Sequence, residues 1–246
     1  MQATRAKVVA AVNADAFGGN VYGTTLVRAY AVADGVKVSS GNVGGNAATL
    51  IIGTDGSAGM RLTSSTSEPD LANVALAVSG FSFVLVDGVA TGDTVQIAQR
   101  TGLGLSQDGR YLFLFTYVGG TGITQQALGD WLRYFGAYDG ANMDGGGSTT
   151  MIWWNPQQDG DDKTTLLNVP VGNGRDTGGE RFNGNNLGVC YALPPRYPSG
   201  GQSARFEVIG TDGAILLDAD NKDSLLYTDI GFPHAYVPDH KVNMMF

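Results

Sequence analysis

With one cysteine, Cys190, in 246 residues, the chain can form no internal disulfide and no zinc site built on several thiolates. Basic residues are also few: 15 Lys and Arg stand against 23 Asp and Glu, a formal charge of −8. That leaves no clustered positive surface for a nucleic-acid backbone. A bound phosphate has to be held locally, by a few arginines. No apolar run is long enough to span a membrane: residues 8–12 are soon interrupted by Asn13 and Asp15, and with residues 1–7 before them they are too short for a signal peptide. On this reading the chain is either cytoplasmic or trimmed of an export signal. The only histidines, His234 and His240, lie in the tail without a ligand set beside them. Residues 218–223 have the acidic spacing of a calcium loop, but Lys222 occupies a ligand position and no glycine follows where one is needed, so they read as a turn. No metal or cofactor is expected.

What is plentiful is glycine, 37 residues, which with sparse charge suits many short strands and tight turns better than a helical bundle. Asp-Gly pairs at Asp34-Gly35, Asp55-Gly56, Asp87-Gly88, Asp108-Gly109 and Asp212-Gly213 lie mostly between apolar runs. Each is a strong hairpin signal, since both central turn residues accept positive φ. Hairpins are expected from 26–32 into 36–38, from 83–86 into Val89, and from 101–105 into 111–117. Residues 8–12 read as the first core strand and 149–154 as a later one. Thr124 and Gly136 bracket a helix whose Ala127, Leu128, Trp131, Leu132 and Phe135 recur at helical spacing. A second, short helix is expected over 71–75, opened by Glu68-Pro69-Asp70. The fold class is α+β, mainly antiparallel β-sheet with a few helices. The Pro- and Gly-rich stretch 193–201 is a linker, which gives a domain over 1–194 and a small β-rich extension over 195–246.

The most informative stretch is Asn142-Met143-Asp144-Gly145-Gly146-Gly147-Ser148-Thr149-Thr150-Met151. It sets one carboxylate beside three glycines and three hydroxyls, where chain leaving the helix enters a strand. Glycines let a ligand approach the main chain, and successive amides can form an anion-binding nest. Its bland alternative is a tight turn. Three other polar clusters sit at the ends of apolar strands: Asn13 with Asp15, Arg100 with Thr101, and Glu180-Arg181 followed by Asn183, Asn185 and Asn186.

In this order the clusters resemble the motifs of the phosphodiester glycosidase family. Val12-Asn13-Ala14-Asp15-Ala16-Phe17 is similar to an early Asn-Gly-Gly-Phe-Phe segment, and Gln99-Arg100-Thr101-Gly102-Leu103-Gly104 to an Arg-Thr-Ala-Ile-Gly strand. The run from Asn142 to Met151 resembles the family's most specific signature. Glu180-Arg181 through Asn186-Leu187-Gly188-Val189 is similar to its closing segment, so the likeness spans roughly 8–191. Ala14 and Ala16 depart from residues that are commonly glycine and aromatic, and the first motif comes almost at the start, where family members usually carry earlier strands.

The resemblance implies hydrolysis of a glycosyl phosphodiester, without a cofactor, on a sugar-phosphate or glycan substrate. Cleavage at the anomeric carbon expels a phosphate monoester, a better leaving group than a sugar alcohol, so charge stabilisation matters more than strong general-acid help. Asp144 is then the first candidate for nucleophile or general base, with Glu180 or Asp15 as second carboxylate. Arg100 and Arg181 are the candidate phosphate clamps, and Gly145, Gly146 and Gly147 supply main-chain donors. Asn13, Thr101, Asn142, Ser148, Thr149 and Asn186 orient sugar hydroxyls or phosphate oxygens. The competing reading, of a different class, is a carbohydrate-binding or particle-structural module that keeps the fold without turnover.

Overall fold

The computed structural model of the chain describes residues 7–19, 25–40, 45–154, 164–172, 181, 183–191, 206–210, 213–217 and 225–227. In order, the first strands are β1 (Lys7–Asn13), β2 (Phe17–Gly19), β3 (Thr25–Val27), β4 (Ala31–Ala33), β5 (Val36–Ser39), β6 (Ala47–Gly53) and β7 (Ala58–Thr63). A single 3₁₀ turn, Leu71–Asn73, leads to β8 (Val74–Gly80), β9 (Ser82–Val86), β10 (Val89–Ala90), β11 (Arg100–Leu105) and β12 (Leu112–Tyr117). The helix α1 (Gln125–Phe135) is followed by β13 (Asp139–Asn142), a 3₁₀ turn at Gly146–Ser148, β14 (Met151–Trp154), β15 (Thr164–Leu166) and β16 (Asn186–Tyr191). The last three strands are β17 (Phe206–Gly210), β18 (Gly213–Leu217) and β19 (Leu225–Tyr227). Every strand pair with a described register is antiparallel. The α+β class, sheet-rich with one α-helix among the described residues, is therefore the observed one.

The chain divides into two compact units. One takes Val12–Met151 and Leu167–Leu187; the other takes Met1–Ala11, Ile152–Leu166 and Gly188–Met245. Within the first, two five-stranded sheets run in the orders β5-β4-β8-β6-β7 and β10-β9-β13-β11-β12. The second contains the three-stranded sheet β17-β18-β19, and a further four-stranded sheet has the order β15-β14-β1-β16.

Local chemistry explains the elements that frame the site. Thr124 caps α1 by accepting the Ala127 amide at 3.1 Å, and Gly136 ends it at φ 107°, the left-handed conformation that costs glycine least. Leu128 and Leu132 of the helix pack on Val84, Leu85, Phe113 and Ala137, and burying a side chain of that size is worth about 1.5 to 3 kcal/mol. The approach is close enough that a Cβ at Gly129 would lie 2.0 Å from the Val84 carbonyl. Asp34-Gly35 and Asp87-Gly88 turn at positive φ throughout, joining β4 to β5 and β9 to β10 as the hairpin signal requires.

Two expectations need correction. The run 26–32 is not one strand: β3 ends at Val27 and pairs with β2, while β4 begins at Ala31. The Arg28 amide bonds the Ala16 carbonyl and so extends the β2–β3 pairing by one position, after which β4 pairs instead with β5 and β8. The helix expected over 71–75 is only the 3₁₀ turn, capped by Asp70 onto the Ala72 amide at 3.1 Å. From Val74 the chain enters β8, whose buried pairing with β6 outweighs local helix preference. The expected linker, the acidic stretch 218–223 and both histidines lie outside the described residues.

Candidate active site

Strand alternation decides which polar residues meet. Along β11 the Gly102 position faces α1, its missing Cβ lying 2.8 Å from Leu128, so Arg100 points to the helix side and Thr101 to the other. Arg100 is 6 % exposed. It donates through Nη2 to the Gln96 carbonyl at 2.9 Å, through Nε to the Ile123 carbonyl at 3.3 Å and through Nη1 to Asn142 Oδ1 at 3.4 Å. Burial lowers its pKa, opposed by the charge of Asp93. Arg100 and Asn142 thus form a polar pair that fastens the start of α1 to β11 and β13.

On the other side, Asn13 is the hub. It is 1 % exposed; its Nδ2 donates to the Asp144 carbonyl at 2.6 Å, and its Oδ1 accepts from Thr101 Oγ1 at 2.6 Å and from the Thr150 amide at 3.0 Å. The Asp144 amide in turn donates to the Ala14 carbonyl at 3.0 Å. Asn13 therefore pins both ends of the glycine loop, and Asp144 is presented from a fixed backbone.

The loop closes on itself. The Gly145 amide donates to Asp144 Oδ1 at 3.1 Å and the Gly146 amide to the Gln99 carbonyl at 2.8 Å. The Ser148 and Thr149 amides donate to the Gly145 and Gly146 carbonyls, each at 3.1 Å. Of the three glycine amides, only that of Gly147 has no partner among the described residues, so the expected anion nest is largely spent on folding the loop. A Cβ at Gly147 would come within 1.7 Å of the Gly172 carbonyl and 3.3 Å of Arg181 Nη1. Beneath the loop, Asn168 accepts the Met151 amide at 2.6 Å and donates to the Thr149 carbonyl at 2.9 Å. The Thr149 hydroxyl is buried without a partner among the described residues.

Asp144, Ser148 and Arg181 come together in one cluster. Arg181 Nη2 stands 3.7 Å from Asp144 Oδ2. The Ser148 hydroxyl accepts from Arg181 Nε at 2.9 Å and from Nη2, and it also bonds the Asp144 carboxylate. The Phe17 ring lies 5.5 Å from the guanidinium carbon, a cation–π contact. Burial pushes the Asp144 pKa above the ordinary carboxylate range, while Ser148, Arg181 and the Gly145 amide pull it back. A carboxylate so placed can accept a proton or attack a carbon near neutral pH, with a cation beside it for an anionic leaving group.

Asp15, 1 % exposed, bonds to a different set of partners. Its two oxygens accept from the Ser79 amide and the Asn185 side chain, and its own amide donates to Asn185 Oδ1 at 2.8 Å. Burial raises its pKa to about 7. Asn186 is exposed at the start of β16, and its neighbour Asn185 makes the contacts. Glu180 lies outside the described residues. Ser79, Phe17 and Asn168 were absent from the sequence-derived set; of these only Phe17 carried a signal, as the last residue of the first motif. Among the described residues no group of three or more His, Cys, Asp or Glu could hold a metal ion, and no helix is long and apolar enough to cross a membrane.

A family model described as phosphodiester glycosidase matches residues 6–190. The catalytic domain of zebrafish N-acetylglucosamine-1-phosphodiester alpha-N-acetylglucosaminidase, auto-inhibited by its pro-peptide, shares the fold. It is 23 % identical with a TM-score of 0.53, over 68 % of this chain and 58 % of that one. The chain thus spans little more than half of that relative. A hypothetical protein from Synechocystis is 13 % identical, with a TM-score of 0.40, over 58 % of this chain and 47 % of that one. No curated protein matches.

Proposed function

The chain belongs to the phosphodiester glycosidase family, and from that premise we propose that it hydrolyses a sugar-1-phosphate diester at the anomeric carbon. The observation that carries this reading is the Asp144–Ser148–Arg181 cluster. In it a half-buried carboxyl with a raised pKa stands 3.7 Å from a guanidinium lying over the Phe17 ring. Asp144 either attacks the anomeric carbon, from which water then displaces it, or takes a proton from the water that attacks that carbon directly. The bond from the anomeric carbon to the phosphate oxygen breaks, its electrons leave with the phosphate monoester, and Arg181 offsets the charge that develops there. Arg100, with three donors already committed, acts by holding Asn142 and the α1 start.

The test is release of free sugar from a panel of α-glycosyl phosphodiesters, comparing the purified chain with Asp144→Asn. N-acetylglucosamine is the first sugar to try, being the one in the zebrafish relative's name. Turnover that falls by about a hundredfold or more in the variant establishes the reaction and its carboxylate together. A folded wild-type chain that binds these compounds without turning over any of them favours the carbohydrate-binding alternative.

A further inference from the structure

Alternate positions of the first motif each hold a different part of the site: Asn13 the Asp144 loop, Asp15 the segment carrying Arg181, and Phe17 the Arg181 guanidinium itself. The middle one has no evident role in chemistry. At 1 % exposure, with one oxygen on the Ser79 amide and the other on Asn185, the Asp15 carboxyl presents no open face to a substrate. Its contacts instead close a reciprocal ring. Asn185 donates its side-chain amide to Asp15 and accepts the Asp15 backbone N–H at 2.8 Å, while the Ala14 amide donates to the Asn185 carbonyl at 3.2 Å. Immediately upstream, Gly184 lies against Phe17, where a Cβ would come within 2.6 Å of the Phe17 Cβ. Four residues before Asn185 comes Arg181, under the Phe17 ring and beside Asp144.

We infer that Asp15 is a positioning residue rather than the second catalytic carboxylate. With Asn185 it latches the segment from Arg181 to Asn186 onto β8 through the Ser79 amide, and so sets Arg181 against Asp144. This rests on the proposed hydrolysis only for its activity readout; the latch itself is a statement about the segment's docking.

The two side chains are shape-alike and their hydrogen bonds are complementary, so the pair can be exchanged. In an Asp15→Asn, Asn185→Asp double variant, Asn at 15 accepts the Ser79 amide and donates to the carboxylate now at 185, which also accepts the backbone N–H of residue 15. Hydrogen exchange at the amides of Asn183 to Leu187, with sugar release from the diester panel, is measured for the wild type, both single variants and the exchange. Each single variant is expected to lose protection there and to lose turnover by at least about tenfold. The exchange is expected to return both to within about threefold of wild type.

Restored protection without restored turnover would mean that the carboxylate is needed at position 15 itself, and would overturn the positioning role. Unchanged protection in Asp15→Asn would overturn the latch. Should Asp15→Asn fail to fold, Asn185→Ala removes the same contacts from the segment's side and leaves Asp15 its Ser79 amide; unchanged protection there is equally fatal. A wild-type chain inactive on every diester removes the proposed reaction, while the exchange data still decide the latch.

Discussion

Asn13 and Asp144, 131 positions apart, are joined by a 2.6 Å hydrogen bond from side-chain amide to backbone carbonyl. The catalytic candidate is therefore placed by the first strand of the chain as much as by its own loop. Because the bond is to the main chain, it fixes where the carboxylate starts from without consuming either of its oxygens.

Replacing Asn13 with Leu, close in size, removes that bond together with those to Thr101 and Thr150. It leaves the fully buried Thr101 hydroxyl without its acceptor and the half-buried Asp144 carbonyl and Thr150 N–H with lost partners, at about 1 to 3 kcal/mol each. The expected result is a loss of roughly 3 to 5 kcal/mol in urea unfolding, with turnover reduced in whatever fraction stays folded. A loss under about 1 kcal/mol would show that the loop holds its shape without Asn13.

Arg181 should be visible in the pH profile. Its charge is one of the influences holding the Asp144 pKa down against burial, so Arg181→Met lets that pKa rise further. Asp144 works ionised in the proposed reaction, and the acid limb of kcat/KM accordingly moves to higher pH while the plateau falls. Arg181→Lys, which keeps a charge but not the planar fork over Phe17, should bring the limb back toward its wild-type position without restoring the plateau. A limb that stays fixed in the Met variant would disconnect Arg181 from Asp144.

Asp15 gives a stability signature. Its folded pKa of about 7 lies above the ordinary 3.8, so between those values the folded chain holds a proton that the unfolded chain has released. The associated stability is complete below about pH 4 and is lost as pH rises to about 7, by up to about 1.4 kcal/mol per unit. Asp15→Asn has no such slope. Whatever its offset, the wild type's unfolding free energy should fall relative to the variant's across that window. Parallel curves would mean that Asp15 titrates as it does in the unfolded chain.

Features carried by neighbouring residues were legible in the sequence. The Thr124 and Gly136 caps and the Asp34-Gly35 and Asp87-Gly88 turns each act within a few positions, and each stands where the pattern placed it; the DGGGS loop instead follows a short strand, β13, that the pattern did not mark off from the helix. Partnerships across the fold were not. Ser79 serves Asp15 from 64 positions away and Asn168 serves Thr149 from 19, with no local pattern to mark either. Adjacent residues also misled, since Arg100 and Thr101 read as one cluster but the pleat sends them to opposite faces of β11. The choice between Asn185 and Asn186 turned on orientation at the entry to β16, which neighbouring residue types do not reveal.

The spacing of Asn13, Asp15 and Phe17 has a consequence for what length changes the chain can bear. Three grips, one on the Asp144 loop and two on the segment carrying Arg181, are set within five consecutive residues, so their offsets along the backbone act as a fixed gauge. A single residue inserted or deleted between Asn13 and Phe17 cannot be absorbed as it would be in a surface loop. It displaces the handhold on Arg181 relative to that on Asp144 and separates the two charged groups without altering either of them.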